Sequence, residues 1–247
     1  MMRAGMKVID GHVFLGSTIY VDQSLEDLIA DMKTLGIDAS VVVAPPPGPF
    51  YDKGNEFIYE AAKKYPDKLI PLYRANPHLE GEEERVKNAF EMGFVGIQLD
   101  PTNDGYSLRN QIVEPVVKVA EDLGLIVYVR SGDSIFCPPE YVADLAMKFE
   151  NAKFITSMSR RAPRAAKDCG NLYLLTRPFP TLAFKMGYVE EFDLERLIFA
   201  SDSPIGVAEI ELRRIELADL EPEIMSKILG GNITRILAER RFNSKMF

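Results

Sequence analysis

The sequence predicts a (β/α)8 barrel, on three observations. Eight short apolar runs recur along the 247 residues, most of them near-continuous rather than alternating, as strands covered on both faces require. Helical patterns fall between the runs. Successive runs begin roughly 20 to 30 residues apart, the length of a βαβ unit, and right-handed repetition of eight such units closes a barrel. An open doubly wound sheet is the alternative, because "SRRAPRAAKDCG" leaves room for only a short helix between the sixth and seventh runs.

Taken in order, the first run is "KVIDGH" from Lys7, followed by the helical pattern "SLEDLIADMKTLG". There Ser24 can cap with Asp27 three residues on, Leu25, Leu28, Ile29, Met32 and Leu35 form one stripe, and Gly36 ends it. "SVVVA" from Ser40 precedes "NEFIYEAAKKYP", which stops before Pro66. "LIPLYRAN" from Leu69 leads to "EEERVKNAFEMG", closed by Gly93, and "VGIQLD" from Val95 leads to "VEPVVKVAEDLG", closed by Gly124. "LIVYVRS" from Leu125 precedes "PPEYVADLAMKF", opened by prolines. "KFITSM" from Lys153, "LYLLT" from Leu172 and "LIFASD" from Leu197 complete the strands, and helices after residue 204 complete the fold.

Apolar residues make up 47% and charged residues 27%, with no low-complexity tract, so a single domain over 1–247 is expected. Residues 1–5 are expected to be a disordered extension, with Met6 an equally good start. The net charge of −8 argues against a surface built for nucleic acid or anionic membrane, and no run approaches the ~20 apolar residues of a membrane span. A cytoplasmic protein with a small-molecule partner follows, and a homodimer is compatible with a barrel of this size. Cys137 and Cys169 form no C-x-x-C pair and read as reduced structural thiols.

Barrels keep their sites at the carboxyl ends of the strands. Those ends carry His12 and Phe14, Arg74 and Asn76, Gln98 and Asp100, Arg130 and Ser131, Met158 and Ser159, Thr176 and Arg177, Ser201 and Asp202. Arg130, Arg160, Arg161 and Arg177 fall at or just beyond strand ends, and Arg74 can join them across the mouth. Guanidinium forks suit carboxylate and phosphate oxygens, so Arg130, Arg74, Arg160 and Arg177 predict a pocket for a small anionic molecule. The alternative is salt bridges to Asp100, Asp133 and Asp202. Asp202 is read either as a general base or as a buried partner of Arg130, and His12 either as a proton-transfer group or as a core histidine. His78, in "RANPHLEG", reads as a loop residue, and Asn232, in "ILGGNITRIL", as an N-cap after two glycines. No G-x-S-x-G elbow or phosphate loop is present.

"IDGHVFLG", "GFVGIQLDP", "LIVYVRSGD", "KFITSMS", "LIFASDSP" and "ILGGNITRIL" follow one another in the order and spacing of the amidohydrolase-related family of metal-dependent hydrolases, which the chain resembles over nearly its whole length. In that family the first strand looks like Asp-x-His-x-His, the fifth and sixth end in metal-binding histidines, and the eighth carries the aspartate of Ser-Asp-x-Pro. Asp10, His12 and Asp202 match. Phe14 replaces the second histidine, while Arg130 and Met158 stand at the histidines of strands 5 and 6. Asp100 falls where many members have histidine, two residues after a lysine-like position that is Gln98 here.

The resemblance implies a metal-dependent hydrolase-like barrel descended from hydrolases or decarboxylases acting on amides, lactones or cyclic carboxylates. Catalytic zinc takes three protein ligands, and the chain has only two histidines, so no tightly bound cofactor is expected. The alternative is one divalent cation, zinc, manganese or magnesium, on His12, Asp10, Asp100 and Asp202. Metal-independent acid/base chemistry by His12, Asp202 and Asp100, with Arg130 stabilising an oxyanion, is the first expectation. A non-catalytic barrel that binds an anion or a protein is the second.

Overall fold

Valine, isoleucine and leucine fill the strands because a strand walled by neighbours above and below has no polar face to offer. A computed structural model describes residues 3, 5–132, 134–177 and 192–243. Its barrel strands are β1 (Ile9–Phe14), β2 (Ala39–Val43), β3 (Leu69–Arg74), β4 (Gly96–Leu99), β5 (Ile126–Val129), β6 (Phe154–Thr156), β7 (Leu172–Leu175) and β8 (Leu197–Ile198), beside a short antiparallel pair, Gly16–Ser17 with Asp22–Gln23. They pair in parallel in that order. The seam between β1 and β8 is closed by the N–H of Gly11 to Phe199 O (2.8 Å), of Asp202 to His12 O (3.0 Å) and of Phe14 to Ser203 O (2.8 Å). The protein is a (β/α)8 barrel.

Alternate residues along each strand enter two different apolar clusters, as a period of two demands. Val41, Leu72, Ile126, Tyr128, Ile155 and Ile198 fill the lumen with Ile9 and Phe14. Val42, Val127, Phe154, Leu174 and Phe199 face the helices. Full burial of one such aliphatic side chain contributes about 1.5–3 kcal/mol. Ile233 and Ile236 join the lumen cluster, and Ile236 lies beside Gly124, Leu125 and Lys153 at the amino ends of β5 and β6. The final helix thus plugs the end of the barrel opposite the site.

The helices are α1 (Leu25–Leu35), α2 (Asp52–Lys64), α3 (Glu82–Met92), α4 (Pro101–Asp104), α5 (Val113–Asp122), α6 (Pro139–Lys148), α7 (Ala162–Ala166), α8 (Ala208–Glu216), α9 (Pro222–Ser226) and α10 (Asn232–Asn243). Ser24 Oγ caps α1 by accepting from Asp27 N–H (3.1 Å), and Gly36 ends it at φ 67°. The link between β6 and β7 holds only the short α7, as its sequence allows. The turn α4 was not among the expected elements; Asp100 starts it by accepting from the Asn103 N–H (3.4 Å), Pro101 follows and Gly105 ends it.

Two sequence expectations are corrected here. Asn232 is no N-cap: a π-helical turn, Lys227–Gly231, runs straight into α10, and Asn232 Nδ2 donates to Leu197 O (2.8 Å) and Leu194 O (3.1 Å), tying the helix to β8. Met158 does not face the barrel mouth; it is buried among the residues packed against helices. Of the expected N-terminal extension, residues 1, 2 and 4 lie outside the described residues, as does Asp133, and Arg3 donates to Glu216 (2.7 Å) and to Leu35 O (3.0 Å). Both cysteines are free and buried. Among the described residues, no helix is long and apolar enough to cross a membrane.

Candidate active site

The site begins at an irregularity in β1. Pairing with β2 shifts register between Asp10 and Val13, so neighbours two residues apart no longer share a face. Asp10 turns outward, into a crevice with Leu28 and Met32 of α1, and its Oδ1 accepts from the N–H groups of Ser201 (2.9 Å) and His12 (3.3 Å). Burial, only partly offset by these bonds, pushes its carboxyl up to about 6. Asp10 therefore staples β1 to β8 behind the site, and the expectation that it joins a ligand set at the mouth is corrected.

His12 turns inward. Its ring stacks beside Tyr128 (centroids 5.9 Å apart) and meets the Phe14 ring edge-on (4.8 Å). Nδ1 lies 2.6 Å from Asp202 Oδ1, and Nε2 lies 2.6 Å from Gln98 Oε1. Two acceptors facing both nitrogens suit an imidazolium. The buried Gln98 Nε2 has no hydrogen-bond partner, so a half-turn of that amide presents a donor to His12 Nε2 and suits the neutral ring with Nδ1–H on Asp202.

Asp202 ends β8 with φ 54°, a left-handed backbone that turns its carboxylate back over the mouth. Its Oδ2 lies 4.0 Å from Arg177 Nε. Burial pushes its carboxyl up, but the hydrogen bond and charge of His12, then Arg130 and Arg177, outweigh this and hold it below the ordinary value. Asp100 behaves likewise: burial is outweighed by Arg74 at 2.9 Å, Arg130 at 3.3 Å and the Asn103 amide at 2.7 Å. Of the partners the sequence offered Arg130, Asp100 and Asp202 among them, it pairs with Asp100.

A cavity of about 380 Å³ opens above these groups, lined by Asp100, Arg130, Ser131, Ser157, Arg177 and Asp202 among others. Arg130 lies over the Phe14 ring, 4.9 Å from its centroid, and is a quarter exposed. Arg177 bonds Glu211 (3.0 Å) and packs on Gly206, where a Cβ would stand 2.9 Å from the guanidinium carbon.

The remaining expected site residues fall elsewhere. His12 is 2% exposed and does not line the cavity; it touches Asp202, which does. Arg74 is fully buried below the floor, gripped by Asp100 (2.9 Å), Asp104 (3.6 Å) and the Tyr51 hydroxyl (3.2 Å), so it holds Asp100 and not a ligand. Arg160 is exposed and outside the cavity lining. Gln98, Asn103 and Ser157 were missed as site residues. Ser157 was legible, since it shares parity with the lumen residue Ile155; Asn103 lies on α4, whose signals were the cap Asp100, Pro101 after it and Gly105 at its end.

The first and eighth strands of the barrel thus meet in a buried His–Asp pair beneath an arginine-lined mouth. The chain belongs to the amidohydrolase family, whose model matches residues 16–238. No protein of curated function matches it in sequence. Among solved structures it is similar to 5-carboxyvanillate decarboxylase from Novosphingobium aromaticivorans complexed with manganese and 4-hydroxy-3-methoxy-5-nitrobenzoic acid (14% identity, 95% of this chain and 96% of that one, TM-score 0.75). It is similar also to a probable 2-pyrone-4,6-dicarboxylic acid hydrolase from Acinetobacter baumannii with citric acid bound (17%, 94% and 100%, 0.72). An uncharacterised TIM-barrel protein from Bordetella bronchiseptica aligns at 19% identity over 96% and 100%, with TM-score 0.78. At these identities the likeness is one of fold.

The residues here do not fit the ion that such a neighbour holds. Both nitrogens of His12 face protein partners, Phe14 offers no lone pair, and Arg130 puts a permanent cation at the mouth. Among the described residues, no three His, Cys, Asp or Glu side chains converge as an ion would need. The oxygen-rich alternative fails on geometry, with Asp10 outside the mouth and Asp100 and Asp202 already facing guanidinium groups.

Proposed function

We propose that the protein binds a small organic carboxylate at the barrel mouth and hydrolyses an ester, lactone or amide bond in it without a metal. The observation that carries this reading is that Arg130 and Arg177, from the ends of β5 and β7, line one cavity with Asp202. Guanidinium donors take the substrate's carboxylate, which places its reacting carbonyl over Asp202. Asp202 Oδ2, the oxygen not bonded to His12, takes a proton from water as it attacks and returns it to the leaving oxygen or nitrogen as the C–O or C–N bond breaks, while His12 holds the carboxylate in place. Arg130 then faces the oxyanion that develops.

The test is a panel of anionic esters, lactones and amides followed by proton NMR with chelator present. The expected result is turnover that vanishes with Asp202→Asn, and a KM raised at least about tenfold by Arg130→Ala with little change in melting temperature. Turnover indifferent to both substitutions refutes the scheme. One observation favours a second reading, a barrel that binds the anion without turnover: Arg130 and Asp100 already satisfy each other at 3.3 Å. Binding on the same panel with no product is its signature.

A further inference from the structure

We infer that the guanidinium of Arg130 stands in the place of a bound cation and supplies, as part of the chain, the positive charge of the site. This rests on the anion-binding reading above and names the group that answers the anion.

The side chains at the mouth touch in an unbroken series. Asp202 Oδ1 meets His12 Nδ1 at 2.6 Å, the His12 ring meets Phe14 edge-on with centroids 4.8 Å apart, and the guanidinium carbon of Arg130 lies 4.9 Å from the Phe14 centroid. Arg130 Nη1 then meets Asp100 Oδ2 at 3.3 Å. Phe14 is unsuited to an ion and suited to a guanidinium, and Asp100 serves the same guanidinium. A phenyl ring donates no lone pair to a metal, yet its negative face attracts a broad, weakly hydrated cation. Asp100 gives that cation a counter-charge, and Asp100 is itself oriented from below by Arg74 at 2.9 Å. Gln98 covers the second nitrogen of His12. Phe14 and Asp100 thus agree on one occupant.

The arrangement also leaves the charge usable. Arg130 spends one bond on Asp100 and its plane on Phe14, and a quarter of its side chain remains exposed in the cavity lining. A guanidinium stays charged throughout the working pH range, so no chelator or pH change within that range removes the charge.

Two measurements on the full chain test this, one for the charge and one for the anion. Metal content by elemental mass spectrometry and thermal melting are recorded with zinc, manganese, magnesium or chelator, for the natural chain and for the Phe14→His/Arg130→His double variant. The natural chain is expected to retain no stoichiometric ion and to melt at one temperature in every condition. The double variant is expected to retain one zinc per chain and to melt higher with zinc. An ion held at one per chain by the natural sequence, and released by Asp202→Ala, overturns the inference. A double variant that keeps its circular dichroism but takes no zinc overturns it too; if that variant fails to fold, the natural chain's metal content decides.

Benzoate titrated by NMR in the presence of chelator is the separate check on anion binding. Arg130→Gln is expected to weaken it about tenfold, and Arg130→Lys to restore part of the loss. No benzoate binding by the natural chain counts against the proposed function and leaves the metal measurement to judge Arg130. Benzoate binding only after manganese or zinc is added overturns the inference while sparing the anion pocket.

Discussion

His12 Nδ1 and Asp202 Oδ1 lie 2.6 Å apart although 190 positions separate the two residues in the chain. The pair bridges the first and last strands of the barrel at the seam where the sheet closes, which makes it a structural clasp beneath the cavity. Removing the carboxylate strands a buried imidazole between Gln98 and an empty place.

Asp202→Ala should therefore cost about 3–5 kcal/mol at neutral pH, the range for breaking a buried pair by removing one partner. Because burial is outweighed and the folded Asp202 carboxyl sits below its ordinary value, this stabilisation is present above the unfolded pKa and lost as pH falls through the folded one. Urea unfolding of the natural and variant chains should converge in strong acid; a gap unchanged down to pH ~3 contradicts the assignment.

Asp10 has the opposite sign. The unfolded carboxyl titrates at 3.8 and the folded one at about 6, so between those values the folded chain holds the extra proton and stability falls as pH rises. The full effect is roughly 3 kcal/mol. Asp10→Asn keeps an oxygen for the Ser201 and His12 N–H groups and should erase this decline, leaving the variant the more stable above pH ~7 relative to its own value at pH ~4. Glu82, pushed up to about 7 chiefly by burial, slopes the same way in both proteins and cancels in the comparison. Parallel stability profiles would rule out a buried, protonated Asp10.

Gly206→Ala places a Cβ 2.1 Å from Ser201 O and 2.9 Å from the guanidinium carbon of Arg177. The loop after β8 must shift, at a cost of about 1–3 kcal/mol, and Arg177 must leave its seat. Gly170→Ala meets nothing within 4 Å and should stay within about 0.5 kcal/mol. Loss of benzoate affinity in the first variant and not in the second is the expected outcome by NMR titration.

The arginines should separate in the same titration. Arg177→Ala weakens anion binding about tenfold, while Arg160→Ala, exposed and outside the cavity, leaves it unchanged. Arg74→Met is a folding lesion: it strips Asp100 and Asp104 of their buried counter-charge and should cost about 3–5 kcal/mol in chemical denaturation. An Arg160 variant with weakened binding would show that the cavity boundary is drawn wrongly.

What the sequence by itself determined was the barrel. The runs "SVVVA", "LIVYVRS" and "LYLLT" are short, apolar and separated by capped amphipathic stretches, and those signals are local: strand burial has period two, helix burial period 3.6, and Ser24 and Gly36 mark their own helix ends. His12, Asp100, Arg130 and Asp202 were legible as strand-end residues for the same reason. Tertiary structure decided their partners. A register shift in β1 sent Asp10 to the back of the sheet and His12 to the front; pairing across the mouth gave Asp100, not Asp202, to Arg130; and a π-helical turn made Asn232 a tether and not a cap. Those outcomes depend on contacts between residues tens to hundreds of positions apart, whose energies are set by distance and desolvation after the barrel has closed, and no local periodicity encodes them.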